Sequence, residues 1–354
     1  MNKLITIKVK ILYVLYLLCF FSIPAVSGEK YAWFNPTENL RLATDFSVRP
    51  QYDVKNDHFS HIESVGFDLH KVFSSASSGD FGTLIVQGYF NKLNNVEKHP
   101  PFFKGEDDLK FICRICNFNV AVLNKGLLNI RIGHYETPFG LEFNMDTNGT
   151  LRQYSNGRDL AGKLDWGITV NGKSSLLGYE ISLGRGVGVD WTSDYSSYIA
   201  SGRLEITDDY SSFIGFSAFH GHIKSNNPDT AYIDRTRIGL DASTQAGPFT
   251  FLSEVSVGQD NSTDRFNTLI EIDLNDSTDK VLGFFQLTNT SYRIKHQHWE
   301  TLIQTHLGIR YTPNRSWTYS GQWTHDIENY QSAIPTSTLR FQVRYRFGLS
   351  TLFI

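Results

Sequence analysis

The chain is poor in cysteine, methionine and proline, with 3, 2 and 10 of them in 354 residues. One cysteine, Cys19, falls in the N-terminal apolar run. Cys113 and Cys116 are left, too few for a disulfide framework. No Cys-x-x-Cys-His occurs, so the chain holds no c-type haem covalently. Beyond residue 28 no apolar run approaches the roughly 18 residues of a membrane helix. Long amphipathic helical patterns are nearly absent as well. Basic charge is missing too: the net charge is −3, and losing Lys3, Lys8 and Lys10 with a leader takes it to −6. That excludes a general polyanion binder and, with it, nucleic acid.

What is present begins with a leader. Three lysines precede an apolar run, Ile11 to Ile23, that is too short to span a bilayer comfortably. Pro24 follows, then Ala25, Ser27 and Gly28. Residues 1–28 read as a secretory signal peptide, and 29–354 as one domain. Export makes an oxidising compartment the expected setting.

Aromatic residues supply 14% of the chain. Apolar and polar residues alternate in stretch after stretch, with the period of a strand. Leu339, Phe341, Val343, Tyr345 and Phe347 share one face of the last stretch; Arg340, Gln342, Arg344 and Arg346 share the other. Such a segment presents its greasy face to lipid and its charges to a wet lumen. About sixteen segments of this kind recur (fourteen or eighteen also satisfy an even count). Gly-, Asn-, Asp- and Ser-rich turns alternate with longer links. The pattern predicts an all-β fold, a transmembrane antiparallel β-barrel in a Gram-negative outer membrane. The longest link, Glu136 to Lys163, is the third at its rim and carries Phe139, Leu141, Phe143, Met145, Leu151 and Tyr154. It is too long for an ordinary connection and too apolar for a bare surface loop. It is expected to fold inward and narrow the lumen.

Arg131-Ile-Gly-His-Tyr-Glu-Thr-Pro-Phe-Gly140 resembles the strand-to-loop passage of porins in the phosphate-selective O and P family and its relatives. The resemblance implies passive diffusion of small hydrophilic solutes past an inward third loop. The loop carries no lysine cluster. Arg131, Asp146, Arg152, Arg158 and Asp159 are then expected near the constriction, with Arg340, Arg344 and Arg346 lining the pore. By parity Arg41, Asp45, Arg49, Arg203, Glu205, Arg235, Arg237, Arg265, Glu271, Asp273 and Arg310 also face inward. The arginine excess there either favours anions or pairs with acids to stiffen the wall.

Other chemistries find less support. Cys113-Arg-Ile-Cys116 on a regular strand points to opposite faces and cannot easily share a metal; local departure from the strand, or a disulfide, is the alternative. Ser155-Asn-Gly157 is similar to the active-site stretch of outer-membrane phospholipases, but Gln153 stands where that pattern has histidine, so the serine lacks a base. His220 and His222 share a face without an evident nucleophile. No enzyme, cofactor or metal is expected. A sleeve around a multihaem cytochrome is the alternative use of such a barrel. The expected partners are outer-membrane lipid and lipopolysaccharide, small solutes, and the barrel assembly machinery; a homotrimer stays open.

The segment Phe341 to Ile354 keeps its apolar phase through Leu349 and Phe353, which resembles the C-terminal signal of outer-membrane barrels. Deleting 339–354 removes that signal and a strand, leaving backbone groups unpaired in lipid. Heat-modifiable barrel is therefore expected to vanish from the outer membrane on gels; normal levels of folded truncation would contradict the reading.

Overall fold

The computed structural model describes residues 39–350 except 76–78, 98–102, 104, 124–125, 144, 148, 155–159, 161–162, 191–195, 209–211, 225–231, 295–296 and 330–335. The expected leader, Ser155, Arg158, Asp159 and Phe353 lie outside the described residues. Among the described residues sixteen strands follow one another. They are β1 (Leu40–Asp53), β2 (His58–Ser75), β3 (Gly79–Asn94), β4 (Leu109–Leu123), β5 (Leu128–Glu136), β6 (Leu164–Lys173), β7 (Leu177–Gly184) and β8 (Tyr198–Asp208). Then come β9 (Ser212–Lys224), β10 (Tyr232–Ala246), β11 (Phe249–Asp260), β12 (Thr263–Asn275), β13 (Val281–Ile294), β14 (Glu300–Tyr311), β15 (Trp317–Asn329) and β16 (Ser337–Ser350). Each pairs antiparallel with its chain neighbours, and β1 pairs with β16 to close the barrel.

Closure satisfies the backbone within the wall, the condition for strands in hydrocarbon. Alternation then sorts the side chains. Phe46, Val48, Ile168, Ile181, Phe216, Leu240, Ile270 and Phe341 stand exposed on the outside. Ser217, Arg237, Glu271 and Gln286 are fully buried on the inside. Aromatic side chains gather on the outer surface near the rims. Trp317 lies beside Tyr345 and stacks on Tyr319, near the short-turn rim. Tyr198, His222 and Tyr232 stack near the opposite one. That is the girdled outer surface of a barrel built for a bilayer.

The links at the rim that carries the termini are short, as the turn chemistry predicts; residues 247–248 and 312–316 suffice for two of them. The opposite rim carries the long links, 95–108, 137–163 and 185–197. It also holds two tight turns, 54–57 and 261–262, where Asp57 and Asn261 take left-handed φ of 49° and 52°. Both residue types tolerate that conformation.

The outward row can be tested one residue at a time. Ile270→Arg puts a charge on the lipid face at mid-strand and should cost about 2–4 kcal/mol of folding stability. Denaturant titration of barrel folded into vesicles measures it, and an unchanged free energy would contradict the assignment of faces.

Candidate functional site

The described residues of the third loop, within 137–163, are drawn into the lumen. The Thr137 amide donates to the Lys163 carbonyl at 2.7 Å and closes the loop's base. Gly140 takes a left-handed φ of 60°, open to glycine at no cost, and turns the chain inward just after Phe139. The apolar residues then find two pockets in an otherwise polar interior. Phe139 packs with Leu160, Ile199, Phe219 and Ile223. Leu141 and Tyr154 pack with Leu252 and Leu269. Burial holds the Tyr154 hydroxyl well above the usual tyrosine range.

Polar contacts fix the loop against the far wall. The Gly140 amide donates to Ser217 Oγ at 3.0 Å, and the Leu141 amide to Glu254 Oε2 at 2.6 Å. Gln153 and Gln286 exchange two hydrogen bonds, at 2.8 and 3.0 Å. Arg152 Nη1 reaches Glu271 at 2.7 Å and Asp273 at 2.8 Å on β12.

The other end of the loop is tied to the opposite side of the barrel. Asp146 sits between Arg114 of β4, at 3.0 Å, and Arg344 of β16, at 3.1 Å. Arg344 also grips Asp45 on β1. Arg114 reaches Glu136 at 3.3 Å, and Lys163 bonds the same carboxylate at 3.0 Å and the Met145 carbonyl at 2.5 Å. Arg49 donates to the Thr147 carbonyl at 3.4 Å. The loop thus spans the lumen from β9–β13 to β16, β1 and β4. A recess of about 290 Å³ lies on one side, lined in part by Arg41, His70, Arg114 and Arg346. Another of about 210 Å³ is lined by Arg49, Glu142, Thr147 and Arg152 among others.

The residues read from sequence fall into separate places. Asp146 and Arg344 meet in one cluster; Arg152 anchors a second, with Arg310 within electrostatic reach. Arg340 donates to Gln51 at 2.9 Å, and Arg346 pairs with Asp68. Arg131 pairs with Glu180 of β7 at 2.8 Å, on the wall toward the short-turn rim, in the half of β5 away from the loop base. Arg158 and Asp159 lie outside the described residues. His220 and His222 point outward, bonded to Tyr198, Thr236 and Asp234. Sequence reasoning missed Arg114, Glu254 and Gln286, which hold the loop.

Arg114 was hidden by an irregularity. Between Gln87 and Gly88 of β3 the register with β4 shifts, and Arg114 is the extra residue. Two consecutive residues, Arg114 and Ile115, then border the lumen recess. Cys113 and Cys116 come to the same outer face and form a disulfide. The opposite-face reading held for a regular strand; the bulge replaces it with the disulfide alternative.

No family model and no curated protein matches the chain. Solved structures do match. The chain is similar to Salmonella typhi OmpF in complex with daunomycin, at 11% identity over 87% of this chain and 97% of that one, with a TM-score of 0.64. An anion-selective porin from Comamonas acidovorans matches at 9% identity over 87% and 99%, with a TM-score of 0.61. The trimer form of in-vitro folded OmpT, an outer membrane protein of Vibrio cholerae, matches at 11% over 88% and 100%, with a TM-score of 0.61. At such identities the likeness is one of fold. The fold is that of outer-membrane porins.

Arg152→Met leaves Glu271 and Asp273 buried beside each other without their cation, which is expected to cost about 3–5 kcal/mol. Adding Asp273→Asn should return most of that loss. Urea titration of folded protein measures both, and a double variant no more stable than the single one would contradict the pairing.

Proposed function

We propose that the chain is an outer-membrane porin that passes small hydrophilic solutes by passive diffusion, without chemistry of its own. The observation that carries this reading is the third loop, tied across the lumen by Asp146 on one side and Arg152 on the other. A loop so held narrows a wet channel without filling it, and the recesses beside it are lined by charged and polar groups. A sleeve around a multihaem cytochrome needs a wide lumen, and the crossing loop weighs against that use. Kinship with the phosphate-selective family rests on residues 131–140. The trimer form of a similar barrel supports a homotrimer here.

An anion preference is part of the proposal. Most inward arginines are spent on carboxylates: Arg203 on Asp241 and Glu205, and Arg235, Arg237 and Arg265 on Asp260. Arginines still outnumber carboxylates in the lining of both recesses: Arg41, Arg114, Arg344 and Arg346 against Asp68, Glu136 and Asp146 in one, and Arg49 and Arg152 against Glu142 in the other. A low-dielectric wall focuses that positive surplus on the pore.

Planar-bilayer recording tests both halves. Shortening the loop between Asn144 and Asn156 should raise single-channel conductance. Arg49→Gln with Arg340→Gln should move the reversal potential in a salt gradient toward cations. An intact protein that never conducts overturns the porin; an unmoved reversal potential overturns the preference.

A further inference from the structure

The bulge in β4 does two things at once. An added residue reverses the alternation beyond it. Phe111 on one side of the bulge and Phe118 on the other are both exposed on the outer surface. Cys113 keeps the phase of Phe111 and Cys116 that of Phe118, so both sulfurs lie on the lipid side, joined to each other. Arg114, between them, points inward, where it is buried and reaches Asp146, Glu136 and the Met145 carbonyl.

The covalent bond requires the bulge. On a straight strand, residues three apart point to opposite faces. A β4 that slid into a regular ladder would part the sulfurs, so the disulfide makes that register inaccessible. It would also turn residues on one side of Arg114 inside out. Gly88, opposite, completes the accommodation: a Cβ there would meet the rings of Phe67 and Phe111 at 2.8 Å.

We propose that the Cys113–Cys116 disulfide is a brace on the lipid side that holds the β4 bulge in place and so aims Arg114 at the third loop, making Arg114 the positioning residue of the constriction. The inference rests on the porin reading for its functional consequence, but not for its geometry. Arg114 joins the loop's tip, at Asp146, to the strand end from which the loop departs, at Glu136. Lys163 supports that junction from the returning end of the loop. Moving Arg114 frees Asp146 from β4 and leaves it to Arg344 alone among these two anchors.

Three measurements on the full-length protein in bilayers and vesicles test the proposal. Protein taken from the outer membrane and alkylated without reduction should carry no label on Cys113 or Cys116; labelling there overturns it. Cys113→Ser with Cys116→Ser should leave heat-modifiable barrel while raising conductance by the same fold-change as Arg114→Gln, and the triple variant should add nothing. Wild-type conductance in the serine pair, or additive effects in the triple variant, overturns the brace. Spin labels at Thr147 on the loop and Thr324 on β15 should give a narrow distance distribution that broadens in the serine pair. An unchanged width overturns the brace even if no variant conducts, whereas absence of conduction with the expected broadening overturns only the porin reading.

Discussion

Everything in this barrel depends on the pairing of β1 with β16. Arg41 to Asp53 lie against Ser350 to Thr338, and no strand edge remains open among the described residues. In hydrocarbon an unpaired amide or carbonyl costs several kcal/mol, and an open sheet would carry a row of them. Once the ring closes, each strand has one face on lipid and one on the lumen, and alternation decides what each side chain meets. The usual hydrophobic core is thereby turned outward. The interior must be stabilised by hydrogen bonds and ion pairs.

That inversion explains the third loop. A polar lumen has few apolar surfaces to offer, yet Leu252, Leu269, Phe219 and Ile223 sit inside it, each in a phase that polar residues otherwise occupy. They are docking points for Phe139, Leu141, Tyr154 and Leu160. Ion pairs then fix the loop's remaining freedom on either side. Such pairs add little net stability where water reaches them, but breaking a buried one leaves a stranded charge. Their effect is to select one loop position, which is what a pore of defined width requires.

The fold was legible because alternation is a strong signal when it recurs in stretch after stretch. The inward run Arg340, Gln342, Arg344, Arg346 stands where parity puts it, and the buried loop apolars were readable from their excess. The pairings within the lumen were not. Arg131 finds Glu180, and Arg152 finds Glu271 and Asp273, partners 49, 119 and 121 residues away, so only the registers of closed strands decide them. The bulge at Arg114 was invisible for another reason: alternation counts residues and cannot detect one extra. The signal that could have exposed it was the cysteine pair itself, since a bridge between residues three apart in a strand demands such an irregularity. The tight turn at 261–262 escaped because long links were expected throughout that rim.

Single cysteines placed along 339–347 and treated with a membrane-impermeant thiol reagent in folded, lipid-embedded protein test the sorting of faces most directly. Positions 340, 342, 344 and 346 should react from the lumen while 339, 341, 343, 345 and 347 stay unlabelled, the disulfide-bonded Cys113 and Cys116 adding no background. The reverse pattern, or equal labelling of both sets, would contradict the closed barrel with its lipid-facing outer row.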